Sequence, residues 1–145
     1  MKIIDINYFP IVAGWYCDDK QALEQGFVKS EYYLMTGNPI TKGFKKVREV
    51  GTGLGVSIKL ENQQVYYGDG TSVTYAGTAG RDQLFRYGDY ADYCQSVVSK
   101  FLLNKDTEDF VDICSEIENA DNLTGSHTAI RYAVSSALLE ASAAV

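Results

Sequence analysis

A nucleophile or an acid–base pair needs two groups of suitable acidity within reach of each other, and this sequence offers few. His127 is its one histidine. A cysteine–histidine nucleophile would need a thiol beside that imidazole in space. Cys94 and Cys114 fall on the apolar stripes of helical segments, where a small thiol packs rather than reacts. Cys17 stands in a loop next to Asp18 and Asp19, whose charges would raise its pKa and blunt it as a nucleophile. His127 lies at a helix start and is read as structural. Asp18 and Asp19 are adjacent, so they point opposite ways in a strand or about 100° apart on a helix, and neither geometry holds a metal by itself. Asp106, Glu108, Asp109 and Asp112 gather around a helix start, where the helix dipole and water both favour anions. Their spacing is not that of a calcium loop. Cys17, Cys94 and Cys114 make an odd count with no Cys-x-x-Cys pair, which argues against a zinc site or a disulfide framework.

The most unusual stretch runs from Gly68 to Asp82, GDGTSVTYAGTAGRD. Its glycines and hydroxyls permit tight turns and close backbone approach. It lacks the Lys-Ser or Lys-Thr of a phosphate loop, and its glycine spacing is not that of a dinucleotide fingerprint. It reads as a strand end feeding an ordered loop, which either lines a pocket or only turns the chain toward the helices.

These residues must be carried by strands in the first half and helices in the second. Ile4, Ile6 and Tyr8 alternate with Asp5 and Asn7, a half-buried strand that Pro10 is expected to end. Leu54, Val56, Ile58 and Leu60 alternate with Gly55, Ser57 and Lys59. With the polar turn 61–64 and Val65-Tyr66-Tyr67 they predict a hairpin, although the turn lacks the favoured Asn-Gly or Asp-Gly. Between these strands lies a long Gly-, Tyr- and Lys-rich loop, with a short helix expected over 18–25. Tyr90, Tyr93, Cys94, Val97, Val98, Phe101 and Leu102 have helical spacing. Asp106 or Thr107 can cap a second helix with Phe110, Ile113, Cys114 and Ile117 on its apolar face. Thr124 or Ser126 can cap a third, with Ile130, Ala133, Val134, Ala137, Leu138 and Ala141 on one side. The small Ala133, Ala137 and Ala141 predict close packing against a neighbour. Strands followed by helices make an α+β domain, helices on one face of an antiparallel sheet.

The chain has 145 residues, 46% hydrophobic and 22% charged, which suits one folded domain over 1–145. Its 13 basic and 19 acidic residues leave a net charge of −6, which repels nucleic acid and anionic membranes on average. The basic run Lys42, Lys45, Lys46 and Arg48 reads as a solvated face. No window is apolar enough for a membrane span, and MKIIDINYFP lacks the apolar run of a signal peptide; the expected location is cytoplasmic.

Four stretches resemble the N-terminal domain of methylaspartate ammonia-lyases, members of the enolase superfamily. They are MKIIDINYFP, the loop Gly14-Trp15-Tyr16-Cys17-Asp18-Asp19, the segment Tyr75-Ala76-Gly77-Thr78-Ala79-Gly80-Arg81-Asp82-Gln83-Leu84-Phe85, and His127-Thr128-Ala129-Ile130-Arg131-Tyr132. The resemblance covers essentially the whole chain. It implies a three-stranded antiparallel sheet followed by a bundle of three or four helices, a domain that caps a (β/α)-barrel of ~250 residues. In that family a barrel base removes the proton beside a carboxylate of 3-methylaspartate. Ammonia leaves to give mesaconate, and Mg²⁺, with K⁺ as an optional second cation, stabilises the anion. The resemblance places no catalytic residue and no metal ligand on this chain. It implies instead a lid loop with Trp15, Tyr16, Asp18 and Asp19, and a substrate pocket touched by Thr74 and Tyr75. The family carries a glutamine where this sequence has Thr74, a shorter side chain without the amide, which implies an altered amine or substrate preference, or lost activity. Three roles follow: a cap subunit working with a separate barrel chain, a truncated fragment of such a lyase that self-associates, or a cap-fold binding or regulatory module without catalysis. The first is the preferred expectation. Its partners are the barrel chain and a small amino-acid substrate at the shared site, in a hetero-oligomer.

Overall fold

The alternating run around Leu54–Leu60 forms the spine of the molecule. A computed structural model describes residues 1–17, 29–31, 34–36, 38–39, 44–71, 85–119 and 128–144, with backbone alone at 13, 15–17, 29–31 and 34–36. Strands β1 (Ile3–Cys17), β4 (Arg48–Leu60) and β5 (Val65–Thr71) form a three-stranded antiparallel sheet in the order β1-β4-β5. Two short strands, β2 (Lys29–Glu31) and β3 (Leu34–Thr36), pair as a separate hairpin inside the stretch expected to be an irregular loop. The helix expected over 18–25 lies outside the described residues.

β1 departs from its sequence reading in two ways. A bulge between Ile3 and Asp5 shifts its register, so Ile3 and Ile6 are buried while Ile4 is exposed. Pro10 does not end the strand: it pairs opposite Leu54 and the strand continues to Cys17. β1 is a sheet edge, where a residue without an N–H is tolerated. A second bulge between Val12 and Trp15 includes Gly14 at φ +64°, a left-handed conformation that glycine adopts without strain. The β4–β5 hairpin forms as expected. Gln63 takes the positive φ of 69° that Asn-Gly would ordinarily supply, and Gln64 N–H donates to Asn62 Oδ1 at 3.0 Å.

Helix α1 (Tyr87–Tyr93) passes through a π-helical stretch (Cys94–Val98) into α2 (Ser99–Leu102). Its buried hydrophobic residues, Cys94, Val98 and Leu102, are those of the expected stripe, with Tyr90, Tyr93, Val97 and Phe101 half-buried around them. Asp106 accepts from Glu108 N–H and caps a 3₁₀ turn (Thr107–Asp109) that leads into α3 (Phe110–Asn119). α4 (Thr128–Ala143) buries Ile130, Ala133, Val134, Ala137, Leu138 and Ala141, as its spacing predicts. The neighbour of its alanine face is β5. A Cβ on Gly68 would lie 2.2 Å from the Ala133 carbonyl oxygen, and one on Gly70 2.1 Å from that of Ala129. The core forms between the helices and the sheet face that carries Ile6, Tyr8, Leu54, Val56 and Ile58. The fold is the expected α+β cap architecture.

Candidate functional site

Antiparallel pairing decides where the two chemically interesting segments begin. β1 and β5 both run against β4, so both finish at the end of the sheet where β4 starts. At that end Trp15 pairs with Val50, Tyr16 with Glu49 and Cys17 with Arg48. The segment that begins at Asp18 therefore leaves beside Arg48. β5 stops sooner, with Thr71 opposite Gly53, and the Gly/Thr-rich segment 72–84 leaves there. Two stretches more than fifty residues apart in sequence thus spring from one end of one sheet.

The chain returns from the Gly/Thr-rich segment at Phe85, against the part of β4 that β5 leaves uncovered. Thr52 marks both its departure and its return. Its carbonyl accepts from Thr71 Oγ1 at 3.2 Å, and its own Oγ1 donates to the Phe85 carbonyl over a long 3.5 Å. Phe85 is fully buried and stacks on Tyr90 with ring centroids 5.1 Å apart. One residue on, the Arg86 guanidinium donates to Glu49 Oε1. Glu49 Oε2 also accepts from the Lys45 N–H at 3.3 Å. Its carboxylate therefore ties the bend at 45–47, β4 and the start of α1 together.

Of the sequence-predicted site residues, Trp15 and Tyr16, like Cys17, lie in β1 and not in the expected loop, because pairing with β4 extends the strand that far, while Asp18, Asp19, Thr74, Tyr75 and His127 lie outside the described residues. Cys94 is buried, and desolvation pushes its thiol up to about 12, so it is no nucleophile. Cys114 is only half-buried, a correction to its reading as a core residue; Ser135 Oγ lies 3.5 Å from its sulfur across the α3–α4 contact. Lys45 and Lys46 of the basic run are exposed, and Arg48 is half-buried in β4. The acidic group around Asp106 is at the opposite end of the molecule, where the turn 104–107 holds the start of β1. Glu108, Asp109 and Asp112 are solvent-exposed there. Among the described residues no three His, Cys, Asp or Glu side chains gather closely enough to hold a metal, so Mg²⁺ does not fit the described part of this chain. No helix of the described residues is long and apolar enough to cross a membrane. Sequence reasoning missed Glu49, Thr52 and Arg86. Nothing in their local spacing marks them, because Glu49 and Arg86 meet only through the sheet.

The fold and its sequence have clear counterparts. Residues 1–145 match the family model described as the methylaspartate ammonia-lyase N-terminus. The chain is 34% identical over 142 residues to methylaspartate ammonia-lyase 2 of Carboxydothermus hydrogenoformans, covering 97% of this chain and 34% of that one. It is 35% identical over 150 residues to the Haloarcula marismortui lyase, covering 99% of this chain and 35% of that one. Among solved structures it superposes on β-methylaspartase from Clostridium tetanomorphum in a magnesium complex, with TM-score 0.84, 34% identity and coverage of 99% of this chain and 35% of that one. It also superposes on the Citrobacter amalonaticus lyase containing (2S,3S)-3-methylaspartic acid, with TM-score 0.87, 33% identity and the same coverage. The chain thus spans about a third of the length of the relatives it matches. With a match over every residue, the chain belongs to the methylaspartate ammonia-lyase family, as its N-terminal part.

Proposed function

We propose that this chain is the cap of a methylaspartate ammonia-lyase-type enzyme, closing the active site of a separate (β/α)-barrel chain. The barrel supplies the bases and would hold Mg²⁺, with K⁺ as an optional second cation, and releases ammonia from 3-methylaspartate or a close analogue. The cap contributes loops. Asp18 and Asp19 belong to a lid that excludes water and is rooted on Trp15 and Tyr16 at the end of β1, and Thr74 and Tyr75 line the substrate side of the pocket. The observation that carries this reading is the common origin of both segments at one end of the sheet. A single face of the cap can then present both to one site.

The test is affinity capture of the tagged chain from its source cells, with mass spectrometry of what stays bound, followed by reconstitution. A barrel-sized lyase partner is expected, with mesaconate formed from 3-methylaspartate by the mixture and by neither chain alone. Self-association without a partner would leave a fragment in place of a cap subunit. Binding of 3-methylaspartate by the chain alone would make it a binding module.

A further inference from the structure

α4 turns one side to β5 and the other to water. On the water side Tyr132, Ser136, Leu139 and Ala143 follow one another at steps of four, three and four residues, which sets them in one stripe away from the buried Ala133, Ala137 and Ala141. Tyr132 is 67% exposed and Leu139 55%. Ser136 is half-buried and Ala143 exposed. The stripe itself carries no charge. The two charged residues of α4 lie beside it and are engaged: Arg131 holds Glu118 at 3.2 Å, and Glu140 accepts the Tyr67 N–H at 2.6 Å. The neighbouring α3, in contrast, exposes Asp112, Glu116 and Glu118. In a chain of net charge −6, an uncharged exposed stripe lets two copies meet without bringing like charges together or burying an unpaired one.

Side-chain size along the stripe runs large, small, large, small. Two such helices laid antiparallel, about a two-fold axis midway between Ser136 and Leu139, set Tyr132 of each copy over Ala143 of the other and Leu139 over Ser136. Each large side chain then meets a small one, as close helix packing requires. A parallel pairing would instead set Tyr132 on Tyr132 and Leu139 on Leu139. About the same axis Glu140 falls level with Ser135 of the other copy and Arg131 with Ala144, so like charges do not face each other. Ser142 already donates to the Leu139 carbonyl of its own helix at 2.9 Å and brings no unmet hydroxyl. Cys114 lies against Ser135 and Glu118 against Arg131, so α3 runs antiparallel to α4. Val111, 67% exposed, therefore stands level with Leu139 and widens the patch. We propose that the outer stripe of α4 is a self-association surface, on which a second copy of this chain seats its own α4 antiparallel. The inference does not rest on the cap reading, because the stripe faces away from the sheet. One helix pair ~17 Å long covers less than the ~1,200 Å² of a standard interface, so the dimer is a weak one.

Sedimentation equilibrium of the full chain from about 1 to about 300 µM should show mass rising from monomer toward dimer. Leu139→Lys and Ser136→Glu should each weaken association at least ~tenfold, with circular dichroism and thermal melting close to wild type, because neither side chain belongs to the core. An equimolar mixture of the two variants should regain association, because the axis sets the new ammonium of one copy against the new carboxylate of the other. Val12→Ser, at a 78% exposed position on β1, should associate as the wild type does. A monomer throughout the range, or aggregates of no defined size, would overturn the proposal. So would a dimer that survives Leu139→Lys, one lost equally in Val12→Ser, or a mixture no more associated than its components. A barrel-sized partner that displaces the second copy and fails to bind Leu139→Lys would also overturn it, and would make the stripe a docking surface for the barrel.

Discussion

Cys94 opens the π-helical stretch, fully buried against the sheet, and Ser99 a turn later reaches the Tyr8 hydroxyl at 3.3 Å. Burial pushes the Cys94 thiol up to about 12 and the Tyr8 phenol above its ordinary range, despite the Ser99 hydrogen bond. Both groups are neutral when protonated and ionise more readily in the unfolded chain. Their contribution to stability is therefore whole below the ordinary thiol range and is lost as pH rises toward the folded values. Urea unfolding between pH 7 and 10.5 should show stability falling above about pH 9, where free thiols ionise. The fall should be shallower in Cys94→Ala, though from a lower start because that variant leaves a small cavity. Equal slopes in the two proteins would contradict the assignment. The same scale holds the sharpest functional prediction. If Thr74 shapes the amine pocket, Thr74→Gln in the reconstituted lyase should shift the relative rates with ammonia and larger amines toward ammonia. Unchanged relative rates would remove Thr74 from the pocket.

At the scale of elements, α4 fits closely against β5. Leaving out the Cβ at Gly68 and Gly70 lets the helix backbone come within contact of the strand, and Ala129, Ala133 and Ala137 are small for the same reason. Glu140 adds a hydrogen bond to the Tyr67 N–H at 2.6 Å, satisfying an amide on the outer edge of the sheet. A side chain at Gly68 would meet backbone atoms on both sides, the Ala133 oxygen at 2.2 Å and the Ala137 nitrogen at 2.5 Å, and neither can swing away. Gly68→Ala should cost about 1–3 kcal/mol or more in urea unfolding. Gly55→Ala is the control. The atoms nearest its Cβ belong to the Phe9 ring, a 37% exposed side chain rather than backbone, so the cost should be well under that of Gly68→Ala. Similar costs for the two would show that helix–strand contact is not what makes Gly68 necessary.

At the scale of the whole molecule, the two ends of the sheet do different work. One end is closed: Ile3 N–H donates to the Lys105 carbonyl, Asn104 N–H to the Ile3 carbonyl and Thr107 N–H to the Met1 carbonyl. From the other end leave the two segments that the resemblance assigns to lid and pocket. The described residues assemble no metal cluster, and the family to which the chain belongs is one of lyases. In the proposed cap role, this domain covers a site built on the barrel chain. In the reconstitution proposed above both chains should be needed, and lyase activity of this chain alone would contradict the proposal.

How much of this was legible beforehand follows from the range of the interactions involved. Hydrophobic period is local. The strand over 54–60, its hairpin and the stripes of the helices could be read from a few neighbouring residues, and the family from four short stretches of chain. The bulge that exposes Ile4, the passage of β1 through Pro10 and the hairpin of β2 and β3 could not be read, because each depends on a partner strand or an open edge. The same holds for the site. Trp15, Tyr16, Asp18, Asp19, Thr74 and Tyr75 were named from the sequence, but their common origin at one sheet end is a consequence of antiparallel topology. Glu49 and Arg86 are 37 residues apart, two ordinary surface-type charges in the linear sequence. Only the fold, by ending β5 early and turning the chain back along β4, makes them a pair.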